Sequence, residues 1–116
     1  MMDVVVTVPK SEWKNWIAEG DLPGDPWSGI EYHFYLGGVH PRISIGERVY
    51  IVAHGKLRGY APLVRVWRSS YGRFALIRCG GAVAVTIVTP LPGFRGFRYR
   101  FWDRAEEVPF PDWRTP

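Results

Sequence analysis

The chain has 116 residues, of which 47% are hydrophobic and 18 are Trp, Tyr or Phe, six of each, so one domain can bury a real core without disulfide staples. No apolar run approaches the roughly 20 residues that cross a bilayer, and no charged segment leads into a long apolar one, so a cytoplasmic protein with no membrane association is expected. The net charge is +4, and the single cysteine, Cys79, leaves no internal disulfide and no cysteine cluster for a metal.

The charge is unevenly spread. Residues 1–40 hold six acids against Lys10 and Lys14, residues 41–104 hold twelve bases against Glu47 and Asp103, and the tail holds three acids and Arg114. The basic middle suits a polyanion, because most of its cations are arginines, which fork onto phosphates and stack on bases. A solvated, arginine-biased surface is the plain alternative.

Taken in order, Asp3 to Val8 reads as a short strand buried on both faces, since its valines run without interruption. Pro9 or Ser11 opens a helix to about Glu19, with Trp13, Trp16 and Ile17 on one stripe and Gly20 as the stop. Asp21 to Gly29 is too rich in Gly and Pro to be regular. Glu31 to Leu36 is the second strand, with Glu31, His33 and Tyr35 on one face and Tyr32, Phe34 and Leu36, the core candidates, on the other. His33 is a possible acid-base group or an ordinary strand residue. The three histidines, His33, His40 and His54, have no ligand-like spacing, so neither a metal nor a cofactor is expected.

Ile45 to Trp67 reads as two strands joined by a basic turn at His54-Gly55-Lys56. The returning strand starts at Leu57 or Arg58 and contains Pro62, which cannot donate to a ladder and so places the strand at an edge or at a bulge. Ser69 to Gly72 is a turn, Arg73 to Arg78 a fifth strand, and Ala82 to Thr89 a strand filled with β-branched residues. Pro90 to Gly96 is a loop, and Phe97 to Trp102 a last strand with Arg98, Arg100 and Trp102 on one face. Two cations and an indole on one face suit phosphate and base together, or else a solvated outer surface around a half-buried Trp. The stretch 103–116 is expected to dock on the domain as a tail through Phe110 and Trp113.

Gly46-Glu47-Arg48 before the apolar run Val49 to Val52, and Gly59-Tyr60-Ala61-Pro62-Leu63 after the turn, resemble a pattern of the PUA-like superfamily, its ASCH and EVE branches in particular. The resemblance implies an α+β fold over residues 1–116: a small, mixed five- or six-stranded β-barrel with one principal N-terminal helix. It also implies a module that binds RNA or a modified nucleobase in a cleft, one wall of which follows the first helix. On that basis the ligand-binding candidates are Trp27, Ser28, Tyr32, His54, Lys56 and Arg58, and the nucleic-acid backbone candidates are Arg98, Arg100 and Trp102. Trp27 either stacks on a base or plugs the barrel end.

Some ASCH proteins are small hydrolases that use a Lys-x-x-Thr pair with a distant Glu. Here the corresponding loop reads Gly24-Asp25-Pro26-Trp27-Ser28, so that activity is not carried over and no catalytic residue is assigned. A hydrolase of RNA or a modified nucleoside, using His33 or His54 with Lys56, is the alternative reading, and a protein-interaction module the next.

Overall fold

The computed structural model describes residues 2–14, 32–37, 40–79 and 82–111. Nine strands occur among them: β1 (Val4–Thr7), β2 (Tyr32–Leu36), β3 (Arg48–Ala53), β4 (Lys56–Pro62), β5 (Arg65–Arg68), β6 (Phe74–Arg78), β7 (Val85–Thr86), β8 (Phe97–Tyr99) and β9 (Val108–Pro109). They form a four-stranded sheet in the order β4-β3-β1-β8, a three-stranded sheet in the order β2-β6-β5, and the small pair β7-β9.

The valines of β1 explain why it lies at the centre. It is parallel to β3 and antiparallel to β8, and Val4, Val5 and Val6 are at most 2% exposed because both faces of their sheet are covered. On one face Val4, Val6, Val49 and Ile51 meet Leu36 and Leu76 of the three-stranded sheet, which closes over them with Phe34, Val66 and Phe74. On the other, Val5, Tyr50, Val52 and Leu57 are covered by Ile87, Leu91, Phe94 and Trp102 from the loops around β8. Two cores therefore share one sheet.

The architecture corrects the expected barrel and helix. The ladders do not close into a barrel among the described residues; they remain three separate sheets. The break falls at Pro62. The expected single strand from Leu57 to Trp67 leaves the four-stranded sheet there, passes Leu63 and Val64, and enters the other sheet as β5, with the Val64 N–H donating to Ile77 O at 2.9 Å. A proline at the end of an edge strand costs no ladder bond, which lets the chain change sheets at that point. The principal N-terminal helix is likewise not found among the described residues, of which only Trp13 and Lys14 are α-helical. Pro9 accepts from the Glu12 N–H at 2.9 Å in a single 3-10 turn, Lys10–Glu12, and Trp13 then turns inward to 9% exposure. The expected helical span from residue 15 onward lies outside the described residues. No helix described here is long and apolar enough to cross a membrane.

Two other expected strands are shorter than their composition suggests. Ala82 to Thr89 contributes only β7 and a bridge from Val83 to Tyr60, because Ile87 turns down into the second core. Phe97 to Trp102 pairs only to Tyr99, where its partner β1 begins, and Trp102 then folds inward at 6% exposure.

The β3–β4 hairpin is local chemistry. His54 and Gly55 have φ of 51° and 73°, the two left-handed residues of a two-residue turn whose twist matches that of the strands. Four residues on, the register slips: Val52 faces Leu57 but Ile51 faces Gly59, leaving Arg58 as the extra residue of a β-bulge. Gly59, at φ 149°, accommodates the bulge. Arg58 is thereby turned inside, fully buried, with Nε donating to Ala53 O at 2.9 Å and its guanidinium 5.0 Å from the Trp13 ring and 5.2 Å from Phe110. Burial lowers its pKa, yet a guanidinium stays charged at neutral pH. Arg58→Ala should cost about 2–5 kcal/mol through the lost packing of a buried side chain. Arg58→Met, which keeps most of the volume, should cost less. The urea midpoints of the two variants check this order.

Candidate nucleic-acid interface

A cleft of about 520 Å³ lies between the end of β1 and the edge strand β2. Its size is within the roughly 300–1,000 Å³ of small-molecule sites. Thr7, Val8, Pro9, Ser11 and Glu12 form one side and His33, Phe34, Tyr35 and Leu36 the other. Strand alternation makes this wall: Leu36 goes to the core, while His33 and Tyr35 stand outward. Their rings are stacked, 12° apart in plane and 5.9 Å between centroids. Arg78, 2% exposed, lies behind them with its guanidinium 5.2 Å from the Phe34 ring.

The far wall comes from the loop before β8. The Phe94 N–H donates to Thr7 Oγ1 at 3.1 Å, and Gly93 permits that approach, since a Cβ there would stand 3.2 Å from Thr7 Cγ2. Phe94 lines the cleft, and Arg98, exposed, holds its guanidinium 4.6 Å from the Phe94 ring. Aromatic walls with an arginine on the outer ring can hold a flat, electron-rich heterocycle and an anion beside it.

The remaining sequence candidates are placed differently. Trp27 and Ser28 lie outside the described residues. Tyr32 begins β2, opposite Arg78. His54 and Lys56 are exposed at the β3–β4 turn, where the His54 ring meets Trp13 edge-on at 5.1 Å; neither lines the cleft. Arg58 is enclosed in the first core, on the opposite face of the four-stranded sheet from Phe94 and Arg98. Arg58, Arg98 and Arg100 therefore do not share a groove. Arg98 does not line the cleft either; it stands next to a residue that does, its guanidinium over the Phe94 ring.

Arg100 and Trp102 belong instead to a buried polar network. The Asp3 carboxylate, only 2% exposed, accepts from the Arg48 N–H at 2.9 Å, Arg100 Nε at 3.1 Å and Arg104 Nη2 at 2.6 Å. Glu107 accepts from Arg48 Nη1 at 3.0 Å, from the Tyr50 hydroxyl at 2.6 Å and from Trp102 Nε1 at 2.9 Å. Arg100 Nη1 donates to Trp102 O and joins the two carboxylates. Burial, and then the hydrogen bond to Glu107, push the Tyr50 phenol above its ordinary range. A second cavity, about 230 Å³, opens beside Asp3, Glu47, Arg100 and Arg104, but these charges are largely engaged with one another.

Sequence reasoning placed His33 and Tyr35 on one strand face and stopped short of a site; an aromatic on the face opposite the core was the available signal. Phe94 carried no such signal, because only the Thr7 contact gives it a place in a wall. No group of three or more His, Cys, Asp or Glu side chains that could hold a metal occurs among the described residues. Comparison with family models, with curated proteins and with solved structures found no match for the chain. The PUA-like likeness thus stands on residues 46–52 and 59–63 alone, and several of these have structural work: Gly46, at φ 90°, makes a turn, Glu47 accepts from the Ser44 N–H at 2.7 Å, and Arg48 pairs with Glu107.

Burial would raise the pKa of Asp3, but the hydrogen bonds from Arg48, Arg104 and Arg100 outweigh it and hold the carboxyl below its ordinary 3.8. A depressed carboxylate pKa stabilises the folded state fully above about pH 5; this contribution is lost as pH falls through the ordinary value and down past the folded one. Acid unfolding curves should therefore steepen below roughly pH 5 in the wild type. In Asp3→Asn that limb should be flatter and the protein less stable at neutral pH.

Proposed function

We propose that this chain is a binding module for single-stranded nucleic acid, RNA above all, and that it seats an unpaired or modified base in the cleft between β1 and β2. The observation that carries the reading is the lining of the cleft, to which His33 and Tyr35, with stacked rings, and Phe94, with Arg98 upon it, all contribute. A base offers a π-face to every such ring, and its phosphate offers the arginine a charge. The wider electrostatics agree. From Arg48 through Trp102 the sequence has ten bases and no acid. Arg48, Arg58, Arg78 and Arg100 have internal roles, while Lys56, Arg65, Arg68, Arg73, Arg95 and Arg98 are exposed. Six exposed cations on one continuous acid-free stretch favour a polyanion over a neutral partner.

Binding of a labelled decauridylate, followed by fluorescence anisotropy at two salt concentrations, tests the proposal. The affinity should fall with salt, and Arg98→Ala should reduce the slope by roughly one unit for its lost phosphate contact. His33→Ala should weaken binding by about tenfold, the order expected for one base stack. Failure to bind the oligonucleotide at low salt, or an affinity indifferent to His33→Ala, would remove the cleft from consideration.

A further inference from the structure

The outer face of the three-stranded sheet carries a second set of rings. Across it the register aligns Tyr35, Ala75 and Trp67 in one row and His33, Ile77 and Arg65 in the next. The flanking strands are two ladder spacings apart, about 10 Å. A large central side chain would hold the outer rings apart. Ala75 instead lets Tyr35 and Trp67 lean together over it, to 6.5 Å between centroids at an interplanar angle of 90°. Ala75 and Ile77 are fully buried, yet Tyr35 remains 72% and Trp67 42% exposed. The opposite face of the same strands gives Phe34, Leu76 and Val66 to the core, so the sheet does not need these rings for its own burial.

We infer that this face is a second base-stacking surface, continuous with the cleft, over which a single strand of nucleic acid runs after its first base is seated. The inference rests on the nucleic-acid reading of the cleft and extends it. Charge decides the occupant. β2, β5, β6 and the turn between β5 and β6 contain no acid; Arg65 stands exposed on the ring-bearing face in the row beside that of Trp67, and Arg73 is exposed in the turn, while Arg68 shares the Phe74 row on the other face. An acidic peptide would answer the arginines and leave the rings uncovered. An apolar protein surface would cover the rings but offer no charge to the exposed Arg73 of the turn. A nucleic-acid strand meets both demands, with bases for the rings and phosphates for the guanidinium groups. Rings at right angles present faces in two directions, which consecutive bases of a flexible single strand can follow and the enclosed stack of a duplex cannot. Tyr35 belongs to both the cleft and the platform, so the path is continuous.

The test compares a dinucleotide, long enough for the cleft alone, with decauridylate, long enough for both surfaces. Trp67→Ala should weaken decamer binding by about tenfold and leave dinucleotide binding unchanged, whereas His33→Ala should weaken both. Trp67→Leu, which keeps apolar cover over Ala75 and guards against a folding defect, should lose the decamer in the same way; Trp67→Phe should keep most of it. If the Trp67 variants bind the decamer as the wild type does while His33→Ala does not, the cleft reading survives and the platform is overturned. If neither probe binds the wild type, both fall. A Trp67→Ala protein that spares decamer affinity but sediments as a smaller species than the wild type overturns the platform in favour of contact between two copies of the chain.

Discussion

A carboxylate that is taken out of water must be met by donors from somewhere, and in this molecule the donors for Asp3 come from three distant parts of the chain. The backbone of Arg48 at the start of β3, the side chain of Arg100 just after β8 and that of Arg104 in the turn beyond all converge on it. The central strand is thereby fixed in register against both neighbours, because a one-residue slip would leave a buried charge without partners. Glu107 repeats the device on the other side of Arg48 and fastens the C-terminal turn over Tyr50 and Trp102. Asp103 and Glu106 close that turn with a reciprocal capping box, so the second carboxylate is itself held in position.

With the four-stranded sheet fixed in this way, its two faces divide the labour. One is sealed by loops. The other carries the three-stranded sheet, on whose far side the Tyr35 and Trp67 rings are exposed. The cleft forms where the two sheets diverge, at the end of β1 and along the edge of β2. Arginine shows the same division: at Arg58 and Arg78 it lies inside against aromatic rings, at Arg48, Arg100 and Arg104 it serves the internal carboxylates, and at Arg98 it stands outside on Phe94. A count of basic residues therefore overstates what a ligand could meet.

Local chemistry was readable from the residues alone. The unbroken valines of β1, the alternation in β2, the His54-Gly55 turn and the Ser69 to Gly72 turn each rest on neighbours in sequence, and each lies where the residue pattern puts it. What depended on distant partners was not readable. Ala82 to Thr89 has the composition of a long strand, but β propensity records how side chains pack rather than whether a ladder partner exists, and here the partner β9 is two residues long. Arg58 looked like a surface cation because a one-residue bulge, which alternation cannot foresee, reverses its direction. Arg100 looked like a ligand-facing cation because its true partner, Asp3, is 97 residues away, and Trp102 was paired with it although Glu107, five residues on, draws the indole inward. The cleft was half legible: His33 and Tyr35 were placed on one face, and the wall opposite them needed the fold.

The position of β1 also sets an order on the making of the protein. Its first neighbour, β3, arrives some 45 residues later in the chain, and its second, β8, only after Arg98 has been synthesised. During translation, then, a strand of bare valines emerges well before either of its neighbours and stays unenclosed until β8 follows. Such an unpaired apolar edge is a template for other chains. The Asp3 cluster completes only when Arg104 is out, so the step that seals the sheet is also the step that removes this hazard, and a ribosome that pauses before β8 leaves it open.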